Sequence, residues 1–309
     1  MSTTEVVAPA KAATGQRIEH EGLLDVRELK TYFKLSDGWV QAVDGVSFVV
    51  EPGQSLGLAG ESGCGKTTAA LSILKLLPEN GKIVSGDILF DGRNLAKRTE
   101  FGMSKIRWKE ISIIFQGAMN ALNPVRPTGK QIAEPIVLHE GVSDAKAMVR
   151  ARELFDLVGI NPKLVIGDEP TTALDVMVQA QILDLIARLR RELDLSFILI
   201  SHDLSVMAET CDKGVIMYAG RVVESGDTAH LFENPQHPYT KRLIKAFPNI
   251  HEKREMVSSI AGDPPNLLQP PPGCRFCPRC DDRVGVCETE TPQQIEIEPG
   301  HFVACHLVA

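Results

Sequence analysis

The sequence predicts an α/β fold with a mainly parallel sheet, and three observations carry that prediction. Short apolar strands alternate with helical segments, a glycine-rich turn joins one strand directly to a helix, and a later apolar strand ends in two carboxylates. At 309 residues and 43% hydrophobic composition, the chain can bury one good-sized core plus a smaller appendage. Its 33 Lys and Arg against 40 Asp and Glu give a formal net charge of -7. That balance argues against a nucleic-acid binder working through an overall basic surface. No stretch reaches the roughly 18–20 uninterrupted apolar residues of a membrane-spanning helix. The opening MSTTEVVAPAKAATGQ lacks the apolar core of a secretory signal. A soluble chain is therefore expected, with any membrane work done through a partner.

In chain order, residues 1–22 are Ala/Thr/Glu-rich without periodicity and are expected to be mobile. Strands are expected at Val40–Val43, Val46–Val50 and Gln54–Ala59, followed by a helix over Thr67–Leu77. Asp87–Phe90 with Asp91-Gly92 reads as a hairpin, because Asp-Gly supplies the positive φ of a tight turn. The early hairpins add an antiparallel patch to the parallel sheet. Ile111–Phe115 is a short buried strand, and Ser143–Gly159 a helix with Met148, Ala151, Phe155 and Val158 on one face. Leu164–Gly167 and Phe197–Ser201 are short apolar strands. Between them Val176–Leu193 is helical, with Ile182, Ile186 and Leu189 in period. From about Phe247 the composition turns to Pro, Cys and acidic residues, with Pro264-Pro265 and Pro270-Pro271-Pro272 as rigid spacers. The expected domains are a flexible segment 1–22, a main domain 23–246 and a C-terminal lobe 247–309.

Gly60-Glu61-Ser62-Gly63-Cys64-Gly65-Lys66-Thr67 fits G-x-x-x-x-G-K-[ST] without mismatch. It follows a strand and opens a helix, the setting that gives the motif its chemistry. The glycines let main-chain N–H groups converge on phosphate oxygens, and the helix N-terminus adds partial positive charge. Lys66 would reach the β- and γ-phosphates, the Thr67 hydroxyl would ligate Mg²⁺, and Thr68 completes the nucleotide-binding set. Leu164-Val165-Ile166-Gly167-Asp168-Glu169 is an apolar strand tipped by two acids. Asp168 would hold the metal and Glu169 would polarise an attacking water.

Jointly these motifs resemble the nucleotide-binding domain of ABC transporters. Asp168-Glu169-Pro170-Thr171-Thr172-Ala173-Leu174-Asp175 is similar to the second acidic motif running into the D-loop. Ile200-Ser201-His202-Asp203 resembles the switch-histidine strand, and Ile114-Phe115-Gln116 the Q-loop. The resemblance implies a P-loop NTPase fold with an antiparallel β subdomain, a truncated helical subdomain and a small Cys-rich C-terminal lobe. It also implies that Gln116 senses Mg²⁺ and the transmembrane partner, that His202 contacts the γ-phosphate, and that Asp175 couples the two sites of a dimer. Phe33, with Tyr32 as alternate, would stack on adenine. Asn234-Pro235-Gln236-His237-Pro238-Tyr239-Thr240-Lys241 and the tail Ala304-Cys305-His306-Leu307 narrow the resemblance to the dipeptide/oligopeptide/nickel importers. Implied with it are ATP and Mg²⁺, a second ATP-binding subunit, transmembrane permease subunits and, indirectly, an extracytoplasmic substrate-binding protein. The implied place is the cytoplasmic face of the membrane, and the implied cargo is peptide, with nickel or oligosaccharide as alternatives.

One departure stands out: no LSGGQ-like signature occurs in the chain. In the family a further segment, holding that signature, lies between Val158-Gly159-Ile160 and Asn161-Pro162-Lys163. Each ATP there is sandwiched between one subunit's phosphate loop and the other's signature, so a homodimer of this chain would lack a complete site. A heterodimer with an intact partner would have one. Either the working protein holds a segment missing from these 309 residues, or the subunit is degenerate.

Five of the seven cysteines lie after residue 270. Cys274, Cys280, Cys287 and Cys305 fall at the importer family's spacings, which resembles a four-thiolate [4Fe–4S] site. Cys277 is additional and makes a C-x₂-C-x₂-C run. Four thiolates suit zinc equally, and thiols or disulfides without metal are the third alternative. In each case the expected role is to staple a lobe with little core of its own.

Overall fold

The structure, a computed structural model, describes residues 22–116, 126–157, 162–172, 176–246 and 260–308. The segment 1–21, expected to be mobile, and Asp175 lie outside the described residues, as do 158–161, where the family's further segment would enter.

Two sheets build the fold. A four-stranded antiparallel sheet has the order β2-β1-β4-β5, with β1 Leu24–Leu35, β2 Gly38–Val50, β4 Gly81–Phe90 and β5 Arg93–Asn94. An eight-stranded sheet has the order β11-β12-β10-β9-β3-β8-β7-β6. Its parallel half joins β6 Ile111–Ile114, β7 Leu164–Asp168, β8 Ser196–Ile200, β3 Ser55–Ala59 and β9 Lys213–Tyr218. Its antiparallel half adds β10 Arg221–Asp227, β11 Ile295–Glu298 and β12 His301–Val303.

The central strands are buried on both faces, as covered parallel strands must be, and their alternation feeds two cores. Ile198, Ile200, Leu56, Leu58, Val215 and Met217 face the antiparallel sheet and helix α1, Lys66–Ile73. Phe197, Leu199, Ile216 and Tyr218 face the opposite side. There they meet α6, Leu204–Thr210, α8, Pro238–Lys245, and Phe276 of the C-terminal lobe.

Several expectations are refined. Val40–Val43 and Val46–Val50 form one strand, because Gly45 at φ 77 carries the irregularity between them. β1 was not expected: its pairing with β2 shifts register three times and Glu28 sits at φ 46, so no clean alternation shows. The Asp91-Gly92 hairpin is present, with φ values of 49 and 71. Helix α1 ends earlier than expected, since Lys75 turns left-handed at φ 51. Helix α3, Thr128–Glu140, was also not expected, and Pro135 inside it obscures its signal. It packs on α4, Asp144–Leu157, through Ile136, Ala147 and Ala151. This hairpin lies in chain order between β6 and β7, which are parallel neighbours. α5, Val176–Leu193, and the short α2, Glu100–Ser104, and α7, Thr228–Glu233, complete the elements. Among the described residues no helix is long and apolar enough to cross a membrane.

The C-terminal lobe is joined to the main sheet by strand pairing, Glu224 to Val303 and Ser225 to Phe302. Glu224, fully buried, accepts hydrogen bonds from the main-chain N–H of Gln236 and His237, and its Oε1 lies 2.8 Å from His301 Nε2. His237 caps α8 by accepting from Tyr239 N–H, and Pro238 opens that helix without needing a donor. The Asn234–Lys241 motif thus has a structural cause.

Asp44 ties the two sheets to the lobe. Its carboxylate accepts from Arg221 (2.7 Å), Arg275 (2.7 Å) and the Tyr32 hydroxyl (2.8 Å). Burial pushes the Asp44 carboxyl up, but Arg221, Tyr32 and Arg275 outweigh it and hold it at about 2. Arg275 is itself only 4% exposed at the side chain. Asp44→Asn should therefore cost about 3–5 kcal/mol in urea unfolding at neutral pH, because a buried guanidinium loses its counter-charge. A depressed carboxyl stabilises above its ordinary pKa, so the difference from wild type should shrink as pH falls from about 4 toward about 2. An unfolding free energy within 1 kcal/mol of wild type at neutral pH would refute this.

Candidate functional site

β3 delivers the chain into the glycine loop, and α1 leaves it at Lys66. The loop needs its glycines for two separate reasons. Gly60 (φ 145) and Gly65 (φ 107) lie in left-handed space, and their backs touch main chain. A methyl carbon at 60 would stand 2.1 Å from the Met217 carbonyl oxygen, and one at 65 would stand 2.3 Å from that of Ala42. Gly63 (φ 77) meets nothing within 4 Å, and Ser62 and Gly63 form the exposed rim. Cys64 is buried beneath that rim, and burial pushes its thiol up.

Lys66 folds over the loop. Its ammonium donates to the carbonyls of Gly60 (2.7 Å) and Glu61 (3.1 Å), with Cys64 Sγ at 3.6 Å. Thr67 Oγ1 donates to Asp168 Oδ1 at 3.0 Å, so the first turn of α1 meets the tip of β7. Asp168 is 3% exposed. Burial pushes its carboxyl up; the Thr67 hydrogen bond opposes this, Glu169's charge adds to it, and Lys66 opposes it again. A buried carboxylate oxygen beside a hydroxyl is a pair of hard oxygen donors, which suits Mg²⁺ held largely through water. Thr68 is half-buried behind them.

Glu169 turns left-handed at φ 49 while its N–H donates to the Ile200 carbonyl at the end of β8. Its Oε2 accepts from Gln116 Nε2 (2.9 Å) and Thr172 Oγ1 (2.9 Å), and His202 Nδ1 lies 3.4 Å away. Gln116, Glu169 and His202, singled out separately in the sequence, are thus brought together at the carboxyl ends of β6, β7 and β8. Thr172 was missed, although a hydroxyl three residues past a carboxylate in a turn is a recognisable partner.

The aromatic candidates separate. Tyr32 is committed to Asp44, and burial with that hydrogen bond pushes its hydroxyl up to about 12. Phe33 is half-buried over Gly81, whose back its ring would contact at 2.8 Å were a methyl carbon present. Two further contacts to the loop escaped the sequence. The Tyr239 hydroxyl accepts from Glu61 N–H (2.9 Å), and Arg279 holds the Glu61 carboxylate.

The cysteines of the lobe are collected but not convergent. Cys274 N–H donates to the Cys287 carbonyl at 2.8 Å, and Cys277, Cys280, Cys287 and Cys305 are buried. Burial pushes the Cys274 thiol up to about 11, and those of Cys277, Cys280 and Cys305 are also raised. Among the described residues no group of three or more His, Cys, Asp or Glu side chains is arranged to hold a metal ion, and no disulfide joins the cysteines. The expectation of a [4Fe–4S] cluster or zinc at Cys274, Cys280, Cys287 and Cys305 finds no support in this arrangement.

Known proteins bear on this geometry. The ABC transporter family profile matches residues 43–162, and that of the oligopeptide/dipeptide transporter C-terminal region matches 223–287. A probable peptide ABC transporter ATP-binding protein of Sinorhizobium fredii is 42% identical over 315 positions, covering 92% of this chain and 94% of that protein. The oligopeptide transport ATP-binding protein OppD of Escherichia coli is 38% identical, covering 92% and 93%. The dipeptide transport ATP-binding protein DppD of Bacillus subtilis is 39% identical, covering 93% and 95%. In the first of these alignments 92% of this chain, about 284 of its 309 residues, fills 315 positions, so roughly thirty positions of the relative face a gap. The dimeric ATP-binding cassette MJ0796, solved with ADP and Pi, shares the fold at a TM-score of 0.60. Its identity is 20%, over 66% of this chain and 98% of that one. The chain belongs to the ABC transporter ATP-binding proteins, among those that carry the oligopeptide/dipeptide transporter C-terminal region.

Proposed function

We propose that this chain couples Mg-ATP binding and hydrolysis to the import of di- and oligopeptides through permease subunits in the membrane. The observation that carries the proposal is the convergence of the glycine loop, the Thr67–Asp168 pair and the Gln116–Glu169–His202 group along the ends of adjacent strands. Main-chain amides of 60–65 and the α1 N-terminus take the phosphates. Lys66 leaves its carbonyl partners for the β- and γ-phosphate oxygens. Thr67, Asp168 and Gln116 would hold Mg²⁺, which when bound would supply positive charge beside the transferred phosphoryl group. Glu169, oriented by Gln116 and Thr172, polarises the attacking water, while His202 faces the γ-phosphate and Phe33 stacks on the base. Asp175 links this site to that of a second nucleotide-binding subunit.

The relatives' names and the matched C-terminal region support a peptide cargo. The chain would sit peripherally, at the cytoplasmic face, against the permease, a reading supported by the relatives' names as ATP-binding proteins of oligopeptide transport. An extracytoplasmic binding protein would select the peptide and reach this chain only through the permease.

The second reading is a nucleotide-binding subunit with impaired hydrolysis. It is favoured by the missing LSGGQ-like string. A partner carrying a signature would complete the site over this chain's phosphate loop, since signature amides stabilise the γ-phosphate charge.

In calorimetry the wild-type chain should bind Mg-ATP, and Lys66→Ala should weaken binding at least about tenfold, the loss of one charge-assisted contact. Unchanged affinity in the variant would remove the phosphate-loop assignment. Mixed with an intact partner subunit, Glu169→Gln should keep nucleotide affinity and lose about 10²–10⁴-fold in turnover. If the wild-type mixture binds ATP and releases no phosphate, the second reading holds.

A further inference from the structure

Resting on the nucleotide site proposed above, we infer that the cysteine-rich C-terminal lobe sets the geometry of the phosphate loop. Arg279 acts as a positioning residue for Mg-ATP through Glu61. Arg279 lies between Cys277 and Cys280, in the short 3₁₀ turn Cys277–Arg279, and its side chain is 5% exposed. Nη1 donates to Glu61 Oε2 (2.7 Å) and Tyr218 Oη (3.2 Å). Nη2 donates to Glu61 Oε1 (3.1 Å) and the Ile260 carbonyl (2.9 Å), and Nε to the Ala261 carbonyl (2.9 Å). All five guanidinium N–H groups are therefore committed, and two of them form a fork on one carboxylate. Burial lowers the Arg279 pKa, but the Glu61 hydrogen bond, the largest influence, raises it further, so the group stays charged.

Glu61 is the second residue of the loop, and each of its polar handles is held. Its N–H donates to Tyr239 of α8, and its carbonyl accepts from Lys66 Nζ and Cys64 N–H. Its carboxylate belongs to Arg279. Tyr218 and Tyr239 in turn pack on Phe276 of the lobe, with ring centroids 5.1 and 5.3 Å away. A loop with glycines at 60, 63 and 65 has little stiffness of its own. Arg279, 218 residues away in sequence, supplies rigidity at the residue whose carbonyl also receives Lys66. Holding the loop in its binding form before the nucleotide arrives removes an ordering cost from association. A lobe that merely covered the domain would need no guanidinium fork on a loop carboxylate.

The test is the Mg-ATP dissociation constant of the full chain by calorimetry, measured well below each variant's melting temperature. Glu61→Gln and Arg279→Gln should each weaken binding about 5- to 30-fold. Arg279→Lys should not restore it, because an ammonium cannot make the fork. The Glu61→Gln/Arg279→Gln double variant should be no worse than the weaker-binding single variant, as for two ends of one contact. Asp281→Asn, which removes an exposed lobe carboxylate paired with Arg242 of α8, should bind like wild type. Should Arg279→Gln fail to fold, Glu61→Gln, altered on the loop side, decides. Affinity within twofold of wild type in Glu61→Gln, while Lys66→Ala loses binding, overturns the inference and leaves the site intact. Wild-type protein that binds no Mg-ATP would overturn the site itself, and the inference with it.

Discussion

A loop built to offer main-chain amides to an anion has few side chains with which to hold itself. The Gly60–Gly65 turn meets this constraint by leaning on neighbours distant in sequence. Gly60 packs its back on the Met217 carbonyl, Gly65 on that of Ala42, and Gly220 N–H donates to the Cys64 carbonyl. Strands β9 and β2 therefore form a mould for the loop. The mould is set in turn by the Asp44 cluster, where Arg221 and Arg275 meet one carboxylate. Loop geometry, sheet packing and attachment of the C-terminal lobe form one connected structure.

The parallel half of the sheet does the complementary work. Neighbouring strands that run the same way end on the same edge, so β6, β7 and β8 place Gln116, Glu169 and His202 together although 53 residues separate the first two. The left-handed backbone at Glu169 lets consecutive acids part company. Asp168 stays buried against Thr67, while Glu169 swings toward Gln116 and Thr172. Two adjacent carboxylates thereby acquire different surroundings, which is how a metal ligand and a water-polarising group can come from one strand tip.

What could be read in the sequence was what is local. The phosphate loop and the acidic strand are contiguous strings in which each residue type answers a stated chemical need. Strand β1 was hidden by bulges, and α3 by its internal Pro135. Strand β12 was invisible because its partner β10 lies on the far side of the Pro-rich stretch, and β11 is placed only by pairing with β12. Arg279 and Tyr239 escaped because their partner, Glu61, lies 218 and 178 residues away. The cysteines are the converse case. Their spacing suggested a ligand set, and the fold gathers them into one lobe without aiming three at a common point.

Every role assigned to these residues follows from a Mg-triphosphate seated between the glycine loop and the Thr67–Asp168 pair. The most direct measurement is electron paramagnetic resonance of Mn²⁺, substituted for Mg²⁺, with the full chain and a non-hydrolysable ATP analogue. The expected result is bound Mn²⁺ with phosphorus hyperfine coupling, lost in Asp168→Ala. Bound Mn²⁺ that shows no phosphorus coupling, or coupling unchanged in Asp168→Ala, would contradict the account.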